Sequence, residues 1–113
     1  MFDDLSKESS ALLVSMYKRY LELRKVGEPR FNARFFGDVE TVKSETGIRL
    51  SNDDVSDIVY WLRECGYVVC READGYMDYI AITEKAIAVC ERRFVNGLKA
   101  VGEALAALKE FFL

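Results

Sequence analysis

The sequence predicts a mainly α-helical fold that carries one β-hairpin, within the α+β class. Apolar residues recur every three or four positions over most of the chain, which indicates helices. Residues 67–72 and 76–82 are instead rich in β-branched and aromatic residues, which favour strands. An Asp-Gly pair between them is a strong signal for a tight hairpin turn. The 113 residues suit a single domain over residues 1–113 and are too few for two ordinary ones.

A long helix is predicted over residues 6–26. Ser6 is a suitable N-cap because its hydroxyl can accept a hydrogen bond from a free amide of the first turn. Gly27 and Pro29 end the helix, since neither continues it readily. Residues 28–37 have no clean period and predict either a short strand or a packed loop. In either case we expect Phe35 and Phe36 to be buried, and Arg30 and Arg34 to be exposed.

Residues 38–65 predict a helix-turn-helix. A short first helix is closed by Gly47, and the second helix begins at Ser51 with a capping box. Gly66 supplies the left-handed residue that ends the second helix. A short helix, a tight turn and a second helix are the typical order of this motif. The apolar face of the second helix is expected to consist of Val55, Ile58, Val59, Leu62 and Cys65.

The segment 67–82 predicts a hairpin with Asp74 and Gly75 at its tip, because a type I′ turn needs positive φ at both central positions. A hairpin directly after the second helix of the motif is a wing, so the fold expected is a winged helix-turn-helix. Thr83 is a suitable N-cap for a long last helix over residues 84–112. Apolar residues spaced by four and three form a seam along that helix, and they are Phe94, Leu98, Val101, Leu105, Leu108 and Phe112.

The stretch LSNDDVSDIVYWLRECGYVV, followed by DGYMDYIAITEKA, resembles the winged-helix pattern. In that pattern a recognition helix ends in L-x-x-x-G-Y-[IV], and a wing leads to [IL]-T-x-x-G. In order and length the chain is also similar to the small YjcQ-like proteins of bacterial prophages, which are compact winged helices. The resemblance covers residues 38–90, and Ala86 stands where the family usually has glycine. It implies a winged helix, a fold that often serves in DNA-binding regulators.

The cysteines do not indicate a metal site. There are three, none in a C-x-x-C pair, and the chain has no histidine, so we expect no zinc. Cys65, Cys70 and Cys90 are instead expected to be small buried hydrophobic residues. A redox-sensing thiol is the alternative.

Composition and motifs also limit the function classes. The commonest general base is absent, and no phosphate-binding loop or nucleophile elbow occurs, so neither an enzyme nor a cofactor is expected. No apolar run approaches the roughly 18 residues of a membrane span. The acidic start, Met1-Phe2-Asp3-Asp4, is not followed by the apolar core of a secretory signal. These features favour a cytoplasmic protein that does not contact membranes.

Negative charge is concentrated in the second helix of the motif and the hairpin. Residues 51–82 carry seven carboxylates and two guanidinium groups, a net charge of −5, whereas the whole chain carries −3. Winged-helix regulators usually place this helix in the major groove, and Lys and Arg supply most of the affinity. Coulomb repulsion therefore disfavours the usual docking mode. Asp53 and Asp54 also have a simpler explanation, because early acids stabilise a helix N-terminus.

The sequence therefore leaves two kinds of partner possible, DNA and a protein, and each has its own candidate residues. DNA could contact a different, basic face, with Asn52 as the one side chain of the second helix suited to read adenine; these candidates are Arg30, Arg34, Lys43, Arg49 and Asn52. An ordinary mixed surface is the alternative explanation for them. A protein could bind the acidic face, where exposed aromatics suit an interface; these candidates are Asp53, Asp57, Tyr60, Trp61, Asp74 and Asp78. Trp61 could instead pack beneath the wing or the first helix.

The apolar seam of the last helix has two interpretations. A helix over residues 84–112 would be about 43 Å long and would overhang the domain, so the seam could join two copies in a homodimer. It could instead cover the first helix of the same chain. Two functional hypotheses follow for the whole chain. One is a small DNA-binding transcriptional regulator; the other is an acidic protein-interaction module, for instance a phage or mobile-element protein that binds a host factor or imitates DNA.

Overall fold

A computed structural model describes residues 2–113 of the chain. It is mainly helical and contains one two-stranded antiparallel sheet, which confirms the α+β class. The elements are α1 (Lys7–Lys25), α2 (Arg30–Arg34), α3 (Val39–Thr46), α4 (Asn52–Glu64), β1 (Val68–Ala73), β2 (Tyr76–Ile82), α5 (Glu84–Arg93), α6 (Leu98–Ala106) and a 3₁₀ turn (Lys109–Phe111).

The predicted N-caps are confirmed at three helices. The hydroxyl of Ser6 accepts from the Ser9 amide at 3.1 Å and starts α1. The hydroxyl of Ser51 accepts from the Asp54 amide at 3.1 Å and starts α4, while Thr83 caps α5. Each cap gives a partner to an amide that the first helical turn leaves free. The starts of these helices are therefore encoded locally.

The hairpin also follows its local sequence signals. β1 and β2 pair antiparallel from Val68 opposite Ile82 to the turn. Asp74 and Gly75 have φ values of 53° and 82°, the positive pair that a type I′ turn requires. Phe35 adds an isolated antiparallel bridge to Ala81 at the outer edge of β2. The hairpin is thereby attached to the segment before α3.

The core is built around α1. Every residue from 9 to 17 is buried, so this helix is enclosed by the rest of the chain. It packs against α3, α4, α5 and α6. Leu62 on α4, and Ile80 and Ile82 on β2, are among the largest fully buried side chains. The common core fixes the positions of α4 and the hairpin.

The structure corrects the prediction for residues 28–37. This segment contains the short helix α2 and then a single bridge residue, rather than a strand or an irregular loop. Phe36 enters the core, as expected, and its amide donates to the Ile80 carbonyl at 2.8 Å. Phe35 does not: it is 40% exposed and lies on Tyr79, with ring centroids 4.9 Å apart. Since the two are adjacent and Phe35 has an extended backbone, their side chains point in opposite directions, Phe36 into the core and Phe35 onto the hairpin surface.

The single long helix predicted over residues 84–112 is wrong. The chain forms α5, leaves the helical conformation at Phe94, turns through Val95 and Asn96, and resumes as α6. Gly97 precedes α6 with φ 62° and ψ −129°, a conformation open mainly to glycine. The turn brings α6 back onto α1 of the same chain. The expected overhang, and the argument for a homodimer that rested on it, therefore do not hold.

The cysteines are only partly as expected. Cys90 is fully buried, and burial raises the pKa of its thiol to about 12. Cys65 and Cys70, predicted to be buried, are only half-buried. Cys65 follows the last turn of α4, and Cys70 lies on a hairpin with one open face. A small side chain at such positions need not be covered.

Candidate interaction surface

A groove of about 550 Å³ lies between α4 and the hairpin. We call it the α4–hairpin groove. Tyr60 from α4 and Tyr76 from β2 contribute aromatic rings to it, and Met77 lies buried beneath. Its walls include four carboxylates and neither lysine nor arginine, and the carboxylates belong to Asp38, Glu40, Asp53 and Asp78. The groove is therefore acidic and partly aromatic.

The four carboxylates are not equally available to a ligand. Asp38 caps α3, accepting from the amide and hydroxyl of Thr41 at 2.8 and 2.7 Å, and these hydrogen bonds hold its pKa below the usual range. Asp78 pairs with Arg71 across the hairpin through two contacts of 3.2 Å. Glu40 accepts a hydrogen bond from the side-chain amide of Asn52. Asp53 is exposed and has no ion pair among residues 2–113, so it is the most available of the four.

A second groove of about 440 Å³ lies beside α4, on the side of the helix that faces the start of α1. Its walls come from α4 and the start of α1, and we call it the Trp61 groove. Trp61 is 50% exposed, and its indole N–H donates to the Asp4 carbonyl at 3.0 Å. Tyr60 lines both grooves. The Trp61 groove also lacks lysine and arginine, and its acids are Glu8, Asp57 and Glu64.

The structure brings together most of the residues proposed from sequence for protein interaction. Asp53, Tyr60 and Asp78 line the α4–hairpin groove, and Asp57, Tyr60 and Trp61 line the Trp61 groove. Trp61 is therefore not packed beneath the hairpin; it lies half exposed beside the start of α1, with its indole N–H bound to the Asp4 carbonyl. Asp74 is exposed at the hairpin turn and lines neither groove.

The residues proposed for nucleic-acid binding do not form one basic patch. Arg30 and Arg34 both bind the carboxylate of Glu84 at the start of α5, the latter at 3.2 Å. These two guanidinium groups, with Arg30 foremost, hold the pKa of Glu84 below its usual range. Lys43 instead donates to the Asn52 side chain at 2.8 Å. Arg30 and Arg34 are therefore held at α5 and partly neutralised, whereas Lys43 and Asn52 contact each other and Arg49 is exposed in the turn between α3 and α4.

The residues proposed for dimerisation belong to the core of their own chain. Phe94, Val101 and Leu108 are buried, and the other three are half-buried, namely Leu98, Leu105 and Phe112. Since α6 packs on α1, half of this seam offers no surface to a second copy while the chain keeps this conformation.

Several residues of the two grooves were not anticipated from the sequence. Asp38 and Glu40 are explained locally, as a cap and a first-turn acid of α3. Tyr76 follows the hairpin turn, and its exposure could have been suspected from that position. Glu84 lies outside both grooves and is a first-turn acid of α5, but its pairing has no local signal, because its partner Arg30 lies 54 positions earlier in the chain. Only the fold brings these two side chains together.

The sequence matches no protein-family model and no curated protein, and the fold matches no solved structure. Function therefore has to be inferred from the residues themselves. Among residues 2–113, no three Cys, Asp or Glu side chains converge in an arrangement that could hold a metal ion. Nor does any helix in this part of the chain combine the length and apolarity needed to cross a membrane.

Proposed function

We propose that this chain is a winged-helix domain that binds a basic segment of a partner protein. The partner would contact α4 and the hairpin, the surface that winged-helix regulators usually apply to DNA. The order α3, α4 and hairpin supports the fold assignment. The α4–hairpin groove supports the function, because neither lysine nor arginine lines it and the exposed carboxylate of Asp53 has no ion pair among residues 2–113.

The chemistry of both grooves suits arginine and lysine side chains. Carboxylates such as that of Asp53 accept strong charge-assisted hydrogen bonds from a guanidinium group. The rings of Trp61 and Tyr76 offer faces that attract cations, and the ring of Tyr60 already holds the guanidinium group of Arg63, 5.1 Å from its centroid. Exposed tryptophan and tyrosine are also the residue types that contribute most to protein interfaces. A phosphate backbone would be repelled at the same surface.

The test is isothermal titration of a short arginine-rich peptide into the native chain and into two double variants. Asp53→Asn with Asp57→Asn removes one carboxylate from each groove. The matched control is Glu103→Gln with Glu110→Gln, which makes the same charge change at exposed acids of the C-terminal segment. We expect the first variant to bind about tenfold more weakly or worse, because it loses charge-assisted contacts. The control should bind as the native chain does, and equal loss in both variants would contradict the proposed site.

A second candidate is DNA binding through a limited basic site at the start of α4. Lys43 and Asn52 lie side by side there, 2.8 Å apart, and Arg49 is exposed in the turn between α3 and α4. The N-terminal residues of a recognition helix commonly contact base edges. These are the observations that favour this candidate.

Fluorescence anisotropy with random-sequence duplex DNA at rising salt tests the second candidate. Binding with a steep salt dependence, lost in Lys43→Gln with Arg49→Gln, would support it. No binding at about 50 mM salt would remove the electrostatic basis that DNA readers share, and would contradict it.

A further inference from the structure

The C-terminal region contains one apolar pattern and two helices. Phe94, Leu98 and Val101 continue a spacing of four and three that runs to Phe112. That spacing is typical of a continuous helix. The structure nevertheless interrupts the helix at residues 94–97, between α5 and α6. We call residues 94–97 the hinge.

Phe94 is buried, with its ring centroid 6.3 Å from that of Tyr17, and few interactions hold the other three hinge residues in the bent form. The Gly97 amide donates to the Phe94 carbonyl at 2.9 Å and closes a four-residue turn. Val95, the second residue of that turn, is 84% exposed, so its side chain contributes little packing. A Cβ atom added at Gly97 would meet nothing within 4 Å, so only its backbone conformation, with φ 62°, excludes other residues. The bend therefore depends on a glycine and on the docking of α6.

The docking of α6 does not require that both helices belong to one chain. α6 packs on α1 and its Val101 is buried, as is Leu108 just beyond the helix. Beyond α6, the Phe111 carbonyl accepts from the Arg49 amide at 2.7 Å, in the turn between α3 and α4. If the hinge straightened, α6 would leave its own α1, and α6 of a second copy could make the same contacts. A short hinge and an exchangeable terminal element are the usual conditions for domain swapping.

We propose that this chain forms a domain-swapped homodimer, in which residues 84–106 make one continuous helix and α6 of each chain packs on α1 of its partner. Straightening gives the hinge residues helical hydrogen bonds that the turn lacks. The 3₁₀ turn moves with α6, so each chain supplies the Phe111 carbonyl to the other's Arg49. The turn that positions α4 is then completed by the second copy. Dimerisation and the acidic surface of α4 are thereby connected.

Three hinge variants test the proposal. Gly97→Ala disfavours positive φ and favours helix, so it should promote the straight form. Val95→Pro should do the opposite, because proline suits the second position of a turn and breaks a continuous helix. Val95→Ala is its matched control, since it removes the same exposed side chain and leaves a helix possible. None of these positions lies in either groove.

Each variant and the native chain are refolded at low and at high protein concentration, and the mass is measured by size-exclusion chromatography with light scattering. We expect Gly97→Ala to lower the dimer dissociation constant by about tenfold or more, since the change acts at both hinges. Val95→Pro should be monomeric at both concentrations, and Val95→Ala should dimerise at least as well as the native chain. Far-UV circular dichroism identifies any variant that fails to fold.

A Gly97→Ala chain that stays monomeric after refolding at high concentration would overturn the proposal. So would a Val95→Pro chain that dimerises as well as Val95→Ala, because the dimer would then form through another surface. If Gly97→Ala does not fold, comparing the dimerisation of the native chain with that of Val95→Pro still tests the proposal. The native chain must then show a concentration-dependent dimer that Val95→Pro lacks.

Discussion

The segment from α3 to the hairpin and the segment after Thr83 differ in how their shapes are encoded. In the first, each helix end coincides with a local signal: Asp38 and Ser51 as N-caps, and Gly47 with φ 74° as a C-cap. In the second, the strongest signal is an apolar seam, and the helix breaks in the middle of it. Caps and turns define where a helix begins and ends, whereas a seam defines only which side chains must be covered.

The break after α5 is therefore decided by tertiary packing. The bent pair of helices buries the seam against α1 of the same chain, whereas a straight helix would have to bury it against another chain. Gly97 makes the bent form accessible, but glycine also occurs within helices at a cost of about 1 kcal/mol relative to alanine. Gly102 does so in α6. The two glycines cannot be distinguished by local sequence alone.

The largest expected effect compares the cores of the two segments. Leu62→Ala on α4 should lower the free energy of unfolding by about 2–5 kcal/mol, because the side chain is fully buried and leaves a cavity. For Leu108→Ala the loss in free energy of unfolding should lie near the lower end of that range, if the C-terminal segment is part of the same cooperative core. Urea denaturation measures both. Leu113→Ala, at a largely exposed position, is the control. If Leu108→Ala matched Leu113→Ala, the C-terminal segment would not belong to the cooperative unit.

Much of the fold could be predicted because its signals are local. Ser6, Ser51 and Thr83 cap helices, and Asp74 with Gly75 forms the hairpin turn, as their sequence positions indicate. The helix α2 could not be predicted, because its five residues lack an apolar period. The helix packs on α1 with Ala33 buried, and the two residues after it attach the segment to the rest of the fold, Phe35 by its bridge to β2 and Phe36 by entering the core.

The candidate surface was predictable as a charge pattern but not as a pair of grooves. An acidic α4 with exposed Asp53, Asp57 and Trp61 follows from helical spacing once the buried face is known. The depth of each groove depends on neighbours that are distant in sequence. Glu8 of α1 and Tyr76 of β2 are such neighbours. The pairing of Arg30 and Arg34 with Glu84 could likewise not be predicted from the sequence, because only the fold brings these side chains together.

A smaller effect is expected at Thr83, where the two segments meet. Its hydroxyl accepts from the Ala86 amide at 3.1 Å and donates to the Gly66 carbonyl at 2.7 Å, so it caps α5 and also attaches it to the end of α4. Thr83→Ala should cost about 1–2 kcal/mol, more than Ser51→Ala at about 1 kcal/mol, because the latter loses the cap alone. Thermal and urea denaturation measure both, with Thr83→Ser as the control that keeps the hydroxyl. Equal losses at the two caps would mean that the bond to Gly66 adds nothing.

The smallest effect is a pH dependence at the contact between α2 and α5. Hydrogen bonds from Arg30, with a further contribution from Arg34, lower the pKa of Glu84 in the folded chain. Because this folded-state pKa is depressed, the ion pairs stabilise the fold above the ordinary pKa of a glutamate, and that stabilisation is lost as the pH falls through the lower value. Glu84→Gln should therefore lower the melting temperature slightly at neutral pH and make it less sensitive to acid. Because the carboxylate is exposed, the difference in melting temperature should be small, and salt should reduce it further.

The matched control is Glu103→Gln, at an exposed acid without an ion pair in residues 2–113. If both variants responded identically to acid, the contact between α2 and α5 would contribute nothing to the stability of the fold, and Arg30 and Arg34 would be free to bind another anion.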